Sequence, residues 1–261
     1  MTKNPAKLLI PLLILILAGL AFWFVLSRPA GTPTISPGEE VQATEFVTES
    51  GTYYDIDAKY PGKTILLGSA NAAAIGIMRT FIETEIISFK ENSRLNSLTP
   101  EDIEMWGLGE ERKFAYASEY HVYTSPRTVS YVFDVFVDTL GAHPNGYHRS
   151  FTFDRETGFE LSIADLFADD AAYLGALSDI ARRDLPGIIA AKGGTSVEEA
   201  DTAYIETGTE PAVENFQTFY LEGSTLVIVF SPYQVGPWVI GTQELSIPRT
   251  ELSHILKAEY R

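Results

Sequence analysis

Two histidines flank a short turn near the middle of the chain, and their residue type could support metal or acid–base chemistry. His143 and His148 are separated by Pro-Asn-Gly-Tyr, and Asp154 follows on the same predicted strand. Imidazole nitrogens and carboxylate oxygens bind divalent metals, but the sequence offers neither a third ligand at a recognised spacing nor a His-Glu-x-x-His pattern. The pattern therefore favours histidines that bond the backbone of their own loop, and we expect no metal site and no cofactor.

Two groups of carboxylates could do other chemistry. Asp134 and Asp138 lie on one predicted strand, where their spacing separates them by about 13 Å. The carboxyl pairs of glycosidases lie about 5 to 9.5 Å apart, so we interpret these two as charges on a solvent-facing side. Asp165, Asp169 and Asp170 resemble the start of a calcium loop, but the alternating Asp-x-Asp-x-Asp-Gly order is missing. Helix N-capping explains Asp169 and Asp170 more simply.

Two turn-rich stretches combine polar and aromatic residues and are the best candidates for a binding surface. They are the loop at residues 143–147 and the segment at residues 233–238. Tyrosine and tryptophan carry an apolar ring with a polar handle, which suits a sugar or peptide surface, although such residues also fill the cores of β-rich domains. We predict a ligand-binding surface formed by His143, Asn145, Tyr147, His148, Tyr233, Gln234 and Trp238.

The sequence contains no complete catalytic motif. Gly-x-Ser-x-Gly, Ser-x-x-Lys, P-loop and dinucleotide glycine patterns are all missing. There is also no cysteine, which excludes disulfides, thiol catalysis and cysteine-ligated zinc. We therefore expect a protein without catalytic activity of its own. The alternative is a small envelope hydrolase or deacetylase that uses His143 or His148 with a metal ion.

The charge of the chain limits the partners that it can bind. Its 261 residues include 35 acidic and 19 basic side chains, which gives a formal net charge of -16. Nucleic-acid phosphates require clustered Lys and Arg, whereas an acidic surface steers cationic molecules towards it. We expect no nucleic-acid partner and regard a cationic protein as a possible ligand.

The N-terminal residues predict a membrane anchor. Residues 8–26 run without a charge, close to the roughly 20 residues that cross a bilayer as a helix. Lys3 and Lys7 precede the run, so the positive-inside bias makes residues 1–7 a short cytoplasmic tail. Residues 27–50 are rich in Pro, Gly and Thr and predict a tether. We expect a single-pass cell-membrane protein with its main domain outside the cytoplasm; a cleaved signal peptide is the competing interpretation.

Residues 51–261 predict an extracytoplasmic α+β domain, with a first half at about 51–140 and a second half at about 141–261. An apolar stripe from Ile75 to Phe89 predicts a helix, and period-two alternation predicts strands at 52–60, 112–124, 128–140 and 147–154. A later helix should end or kink at Pro186, and a hairpin, a last strand at 244–247 and a terminal helix capped by Thr250 should follow. The expected architecture is an antiparallel or mixed sheet flanked by helices.

The folded region also resembles a known bacterial domain. The likeness is carried by Gly141-Ala-His143, Tyr147 to Asp154, Gly158, Leu161 and Asp165-Leu-Phe167, and again by Phe230 to Pro237, Gly241 and Glu244 to Pro248. It covers about residues 52–260. The chain here is similar to the extracytoplasmic domain of unknown function shared by RsiV-type anti-sigma factors and the N-terminal part of PdaC-type peptidoglycan deacetylases. The resemblance implies an α+β domain outside the membrane, which in RsiV-type proteins binds lysozyme, a cationic enzyme.

Taken with the acidity, this resemblance favours a membrane-anchored binding or sensing module of the bacterial envelope. The expected ligand is a lysozyme-like cationic protein or cell-wall peptidoglycan. A structural accessory subunit is a further interpretation that the sequence leaves open.

Overall fold

The computed structural model describes residues 43–169, 172–193 and 202–261. The predicted cytoplasmic tail, the predicted membrane anchor at residues 8–26 and most of the predicted tether lie outside these ranges. Among the helices that the described ranges contain, none combines the length and the apolar character needed to cross a bilayer.

Strands and helices both contribute to the described chain. In chain order, the strands are β1 Thr44–Ser50, β2 Tyr54–Pro61, β3 Phe114–Thr124, β4 Thr128–Asp138, β5 Asn145–Asp154, β6 Glu160–Leu161, β7 Phe219–Glu222, β8 Thr225–Phe230 and β9 Gln243–Pro248. The α-helices are α1 Gly68–Asn92, α2 Pro100–Trp106, α3 Tyr173–Gly193 and α4 Thr202–Gly208.

The strands form two sheets. The larger has the order β1-β2-β3-β4-β5-β6, and the smaller has the order β7-β8-β9. The β2–β3 pair is parallel and every other pair in the two sheets is antiparallel. A parallel pair needs a long crossover, which α1 and α2 supply. The predicted α+β class with a mixed sheet flanked by helices is therefore confirmed for the described residues.

One face of the larger sheet packs against α1. Side chains alternate along β4, so Tyr131 and Phe133 point to the helix and are fully buried there. Met78 and Ile82 of α1 belong to the same core, and Phe81 meets Phe133 edge-on with ring centroids 5.5 Å apart. Burying each large apolar side chain contributes about 1.5–3 kcal/mol. The apolar stripe predicted from the sequence is therefore what fixes this helix on the sheet.

The other face of the larger sheet is partly covered by the smaller sheet. Val132 of β4 packs with Tyr220, Val227 and Val229, and Tyr123 of β3 stacks on Tyr220 at a centroid distance of 3.7 Å. The far face of the smaller sheet forms a second core with α3. The order of layers is thus α1, larger sheet, smaller sheet and α3.

Three elements differ in extent or type from the simplest expectation. Thr44–Ser50 lies within the predicted tether but forms β1, because all seven of its residues pair with β2. The helix α3 continues through Pro186, because Leu185 and Ile189 on either side are buried in the second core. The packing of these two side chains offsets the loss of the helical hydrogen bond that the backbone nitrogen of Pro186 cannot form.

The predicted terminal helix after Thr250 is replaced by turns and a short 3-10 helix at Ala258–Tyr260. Leu252 and Leu256 of that segment are buried, as the pattern predicted, and Ile255 is partly buried. Its backbone pairs outside itself, since the N–H of Lys257 donates to the carbonyl of Leu166 over 2.9 Å. A chain whose backbone is satisfied by a neighbouring segment does not need helical hydrogen bonds.

Asp154 joins the end of β5 to two distant parts of the fold. Its side chain is 2% exposed, and it accepts bonds from Arg127 Nε at 2.6 Å and from the Tyr260 hydroxyl at 3.0 Å. The backbone N–H groups of Glu156 and Thr157 donate to its other oxygen. Burial alone would raise the pKa of Asp154, but the bonds from Thr157, Arg127 and Tyr260 outweigh it and lower the pKa.

Replacing Asp154 by Asn should lower the free energy of unfolding at neutral pH by about 1–3 kcal/mol, because a buried charged acceptor is lost. The folded-state pKa is depressed, so this contribution is present above the unfolded pKa of about 3.9 and disappears as the pH falls towards the folded value. Urea unfolding at a series of pH values measures both effects. Asp57→Asn, at an exposed carboxylate of β2, is the matched control, and equal losses in the two variants would contradict the expectation.

Candidate functional site

Asp134 and His148 are direct neighbours across the β4–β5 pair. Both point to the face of the larger sheet that lies opposite α1. A hydrogen bond of 2.9 Å joins His148 Nε2 to Asp134 Oδ1. Cross-strand neighbours of an antiparallel pair have Cβ atoms about 4.5–5.5 Å apart, so the register that builds the sheet also builds this pair.

His121 of β3 approaches the same carboxylate from the other side. Its Nε2 lies 3.3 Å from Asp134 Oδ2, so each carboxylate oxygen contacts a different imidazole. Burial alone would raise the pKa of Asp134, but hydrogen bonds and charge from His121 and His148 outweigh it and hold the pKa well below its usual range. Asp134 is therefore ionised at neutral pH. We call these three residues the Asp134 cluster.

The two histidines of the Asp134 cluster differ in exposure. The His148 side chain is 12% exposed and that of His121 is 48% exposed. His148 is held further by Ser231, whose Oγ accepts from its backbone N–H at 3.0 Å, and by Thr242, whose Oγ1 lies 3.4 Å from Nε2. Its Nδ1 is buried without a hydrogen-bond partner among the described residues. His148 is thus suited to positioning Asp134, and His121 is the imidazole that a ligand can reach.

A second group brings together the two stretches that the sequence singled out. His143 stacks on Trp238 with ring centroids 4.8 Å apart, and its Nε2 lies 2.6 Å from the Tyr233 hydroxyl. Its Nδ1 lies 2.8 Å from the Pro144 carbonyl oxygen, which is the bond to its own loop that the sequence favoured. Tyr233 has a φ of 73°, a left-handed conformation that is uncommon outside glycine. We call His143, Tyr233 and Trp238 the aromatic cluster.

Gln234 was expected on the ligand-binding surface, but the structure gives it a different task. Its side-chain amide donates to the carbonyl oxygens of Gly208 and Asn215 at 3.2 and 2.9 Å. The backbones approach so closely that a Cβ on Gly208 would lie 1.9 Å from the Gln234 oxygen. Gln234 therefore fixes the segment that carries Tyr233 and Trp238.

Asn145 and Tyr147 lie on yet another side of the fold. They share the α1-facing side of β5, and the Tyr147 hydroxyl donates a hydrogen bond to Glu85 of α1. Together with α1 they line an open cavity of about 400 Å³. The seven residues predicted to form one surface thus fall into separate places, because neighbouring residues of a strand point to opposite faces.

His143, His148 and Asp154, the residues considered as metal ligands, all lie within the described ranges. No group of three or more His, Asp or Glu residues is arranged there to hold a metal ion. Asp154, considered with the histidines above, is at the other end of β5 and is engaged by Arg127 and Tyr260. Asp165 forms a capping box with Ser162, whereas the sequence predicted a capping role for Asp169 and Asp170 and none for Asp165.

Sequence reasoning missed most of the Asp134 cluster. It treated Asp134 as a solvent-facing charge beside Asp138, which instead accepts a bond from the N–H of Leu140 at 2.7 Å, and it did not consider His121. The signal that could have found the cluster was positional. Once the β3–β4 hairpin is paired, His121 faces Val132 and lies diagonally beside Asp134 on the same side of the sheet.

Two curated relatives match about half of the chain. The peptidoglycan-N-acetylmuramic acid deacetylase PdaC of Bacillus subtilis is 34% identical over 139 residues, which are 53% of this chain and 28% of that protein. An esterase of Mycobacterium tuberculosis is 26% identical over 137 residues, which are 52% of this chain and 56% of the esterase. In each case the match leaves a large part of the relative uncovered.

Solved structures show the same fold. A DUF3298 family member from Bacteroides fragilis superposes with a TM-score of 0.57 at 16% identity, over 84% of this chain and 94% of that one. A DUF3298 family protein from Pseudomonas aeruginosa gives a TM-score of 0.56 at 14% identity, over 85% and 97% of the two chains. At such low identity these likenesses concern the fold alone.

The comparisons correct one expectation and confirm another. The expectation of a protein without catalytic activity is contradicted by the two curated relatives, since both are named as enzymes. Residues 164–250 match the sequence model described as "Protein of unknown function (DUF3298)". The resemblance inferred from the sequence is thereby confirmed, and the chain contains a DUF3298 domain.

Proposed function

We propose that the domain removes acyl groups from a cell-envelope glycan by hydrolysing ester or N-acetyl amide bonds. The observation that carries the proposal is the Asp134 cluster, an ionised carboxylate that holds two imidazoles, one of them about half exposed. The names of the two relatives support this class of reaction, because a deacetylase and an esterase both transfer an acyl group to water.

In this proposal His121 is the general base. The imidazole, held by Asp134, takes a proton from a water molecule while the water oxygen bonds to the acyl carbon. The carbonyl becomes a tetrahedral oxyanion. When the oxyanion collapses, the bond to the leaving oxygen or nitrogen breaks, and the imidazolium returns its proton to that atom. Asp134 remains ionised and stabilises the imidazolium, as the carboxylate of an Asp-His pair does.

The aromatic cluster supplies a surface for the sugar. Tyr233 and Trp238 lie on the same segment as Ser231 and Thr242, the two residues that contact His148. The stacked rings of His143 and Trp238 form an aromatic surface beside the Tyr233 hydroxyl. Such a surface suits a sugar, which has both apolar C–H groups and polar hydroxyls.

The predicted membrane anchor and tether would place the domain against the cell envelope, where such a glycan occurs. That location remains a prediction, as does the cationic protein partner expected from the net charge of -16.

Replacing Asp134 by Asn should reduce kcat for acetate release by about a hundredfold or more, because general acid–base catalysis contributes about 10²–10⁴ and the imidazolium loses its counter-charge. The measurement uses the purified full chain with p-nitrophenyl acetate and with an acetylated cell-wall glycan. Thermal melting monitored by circular dichroism establishes that the variant is folded.

Asp138→Asn is the matched control for this experiment. Asp138 lies on the same strand and contacts the N–H of Leu140 rather than a histidine, so its loss should change kcat by less than about twofold. Full activity of folded Asp134→Asn, or no acetate release by the unchanged protein, would refute the proposed hydrolysis.

Replacing Trp238 by Ala should raise KM for the glycan about three- to tenfold with little change in kcat, since an aromatic contact is worth about 0.5–1.5 kcal/mol. Hydrolysis of p-nitrophenyl acetate, which has no sugar, should be unaffected. Val239→Ala, at a neighbouring side chain that is 81% exposed, serves as the control. Equal KM values for Trp238→Ala and the unchanged protein would remove the sugar-binding role.

A further inference from the structure

The cavity beside α1 has a polar lining where a core would be expected. Glu85, Ser88, Phe89 and Asn92 line it from the helix, and their spacing places them on one face. That face borders the sheet, yet Phe89 is the only apolar residue of the four. The opposite wall comes from β4, β5 and the loop between them, through Val137, Thr139, Asn145 and Tyr147.

A hydrogen bond between Glu85 and Tyr147 links the two walls of the cavity. Tyr147 donates to Glu85 Oε2, which leaves Oε1 to accept a further hydrogen bond. Burial, and next the bond to Glu85, raise the pKa of Tyr147 far above its ordinary value. The phenol therefore keeps its proton and its hydrogen bond, so the pair offers a fixed carboxylate oxygen as an acceptor to a ligand.

A buried hydroxyl lies close to this pair. Tyr116 is 1% exposed, and its hydroxyl has no hydrogen-bond partner among the described residues. Its ring packs on Phe89 with centroids 5.8 Å apart. Burial, and then the charge of Glu85, raise the pKa of Tyr116.

We propose that the cavity binds one neutral pyranose residue of the N-acetylhexosamine type. Its volume of about 400 Å³ lies within the range of small-molecule sites, about 300–1,000 Å³. Hydroxyl and amide groups of Ser88, Asn92 and Asn145 can both donate and accept bonds, as a sugar requires. Phe89 and Val137 offer apolar contact to the C–H groups of the ring.

Charge decides between a sugar and the other ligands of similar size. Glu85 repels anions, which disfavours phosphate and acidic sugars. An ammonium group would pair with Glu85, but Tyr147 already occupies one of its oxygens and the rest of the lining is neutral. A neutral polyol makes use of all of these groups.

This binding goes beyond the proposed hydrolysis. Tyr147 faces α1 and the adjacent His148 faces the Asp134 cluster, so the cavity and the cluster lie on opposite faces of the larger sheet. The cavity would hold a glycan residue distant from the bond that is cleaved, and it can be tested without any turnover.

The test is calorimetric titration of the full chain with the neutral trimer of N-acetylglucosamine. Glu85→Gln should weaken its binding about tenfold or more, since hydrogen bonds to a charged group contribute about 1.5–3 kcal/mol. Tyr147→Phe, which frees the carboxylate and removes one donor, should weaken binding by a smaller factor. Glu83→Gln is the matched control, because Glu83 is exposed on α1 and pairs with Arg79; its affinity should not change.

Three outcomes would overturn the inference: no heat of binding with the trimer, an affinity that Glu85→Gln leaves unchanged in a protein with a normal melting curve, or tighter binding of a polyamine than of the sugar. Hydrolysis of p-nitrophenyl acetate by Glu85→Gln should match that of the unchanged protein. Loss of sugar binding with intact hydrolysis, and the reverse result with Asp134→Asn, separate this inference from the proposed reaction.

Discussion

The central constraint in this fold is that β4 must be buried on both faces. It pairs with β3 and β5 along nearly its whole length, packs against α1 through Tyr131 and Phe133, and packs against the smaller sheet through Val132. The smaller sheet covers only part of β4, the part that includes Val132. Beyond Val132 the next outward residue is Asp134, where apolar cover gives way to polar contacts. The Asp134 cluster therefore lies at the boundary between core and solvent, where a carboxylate can be ionised yet still bonded.

Local patterns predicted most of the elements but few of their long-range contacts. The stripe from Ile75 to Phe89 and the alternation in β4 were sufficient for α1 and for the sheet, since both depend on residues near each other in sequence. The path of α3 through Pro186 and the replacement of the terminal helix depend on cores and backbone partners supplied by distant segments. The residues of the candidate site were harder to predict from the sequence than the helices and strands. His143 and Trp238 were both singled out, whereas His121 was missed because its importance depends on strand register rather than on spacing.

The chemistry of the chain is divided between its two halves. The region matched by the DUF3298 model, residues 164–250, carries Tyr233, Trp238 and Thr242, whereas every histidine of the two clusters precedes it. The Asp134 cluster lies wholly before the matched region, whereas the aromatic cluster joins His143 to Tyr233 and Trp238 of that region. Gln234 and Gly208 show what is needed to hold Tyr233 and Trp238 in place. The backbone of Gln234 approaches Gly208 so closely that no side chain larger than hydrogen fits there. The matched region thus contributes Tyr233 and Trp238 to the aromatic cluster, and the preceding strands contribute the histidines.

The parallel pairing of β2 with β3 has a consequence for how the chain acquires its shape. The two strands are separated in sequence by the whole crossover through α1 and α2, whereas β3, β4 and β5 follow one another through short turns. Contacts distant in sequence form late, because a long loop must lose its entropy before they can stabilise anything. We expect the β3–β4–β5 meander to form first and the crossover to dock on it afterwards. The groove between α1 and the meander would then be a late product of folding and the first region to open again.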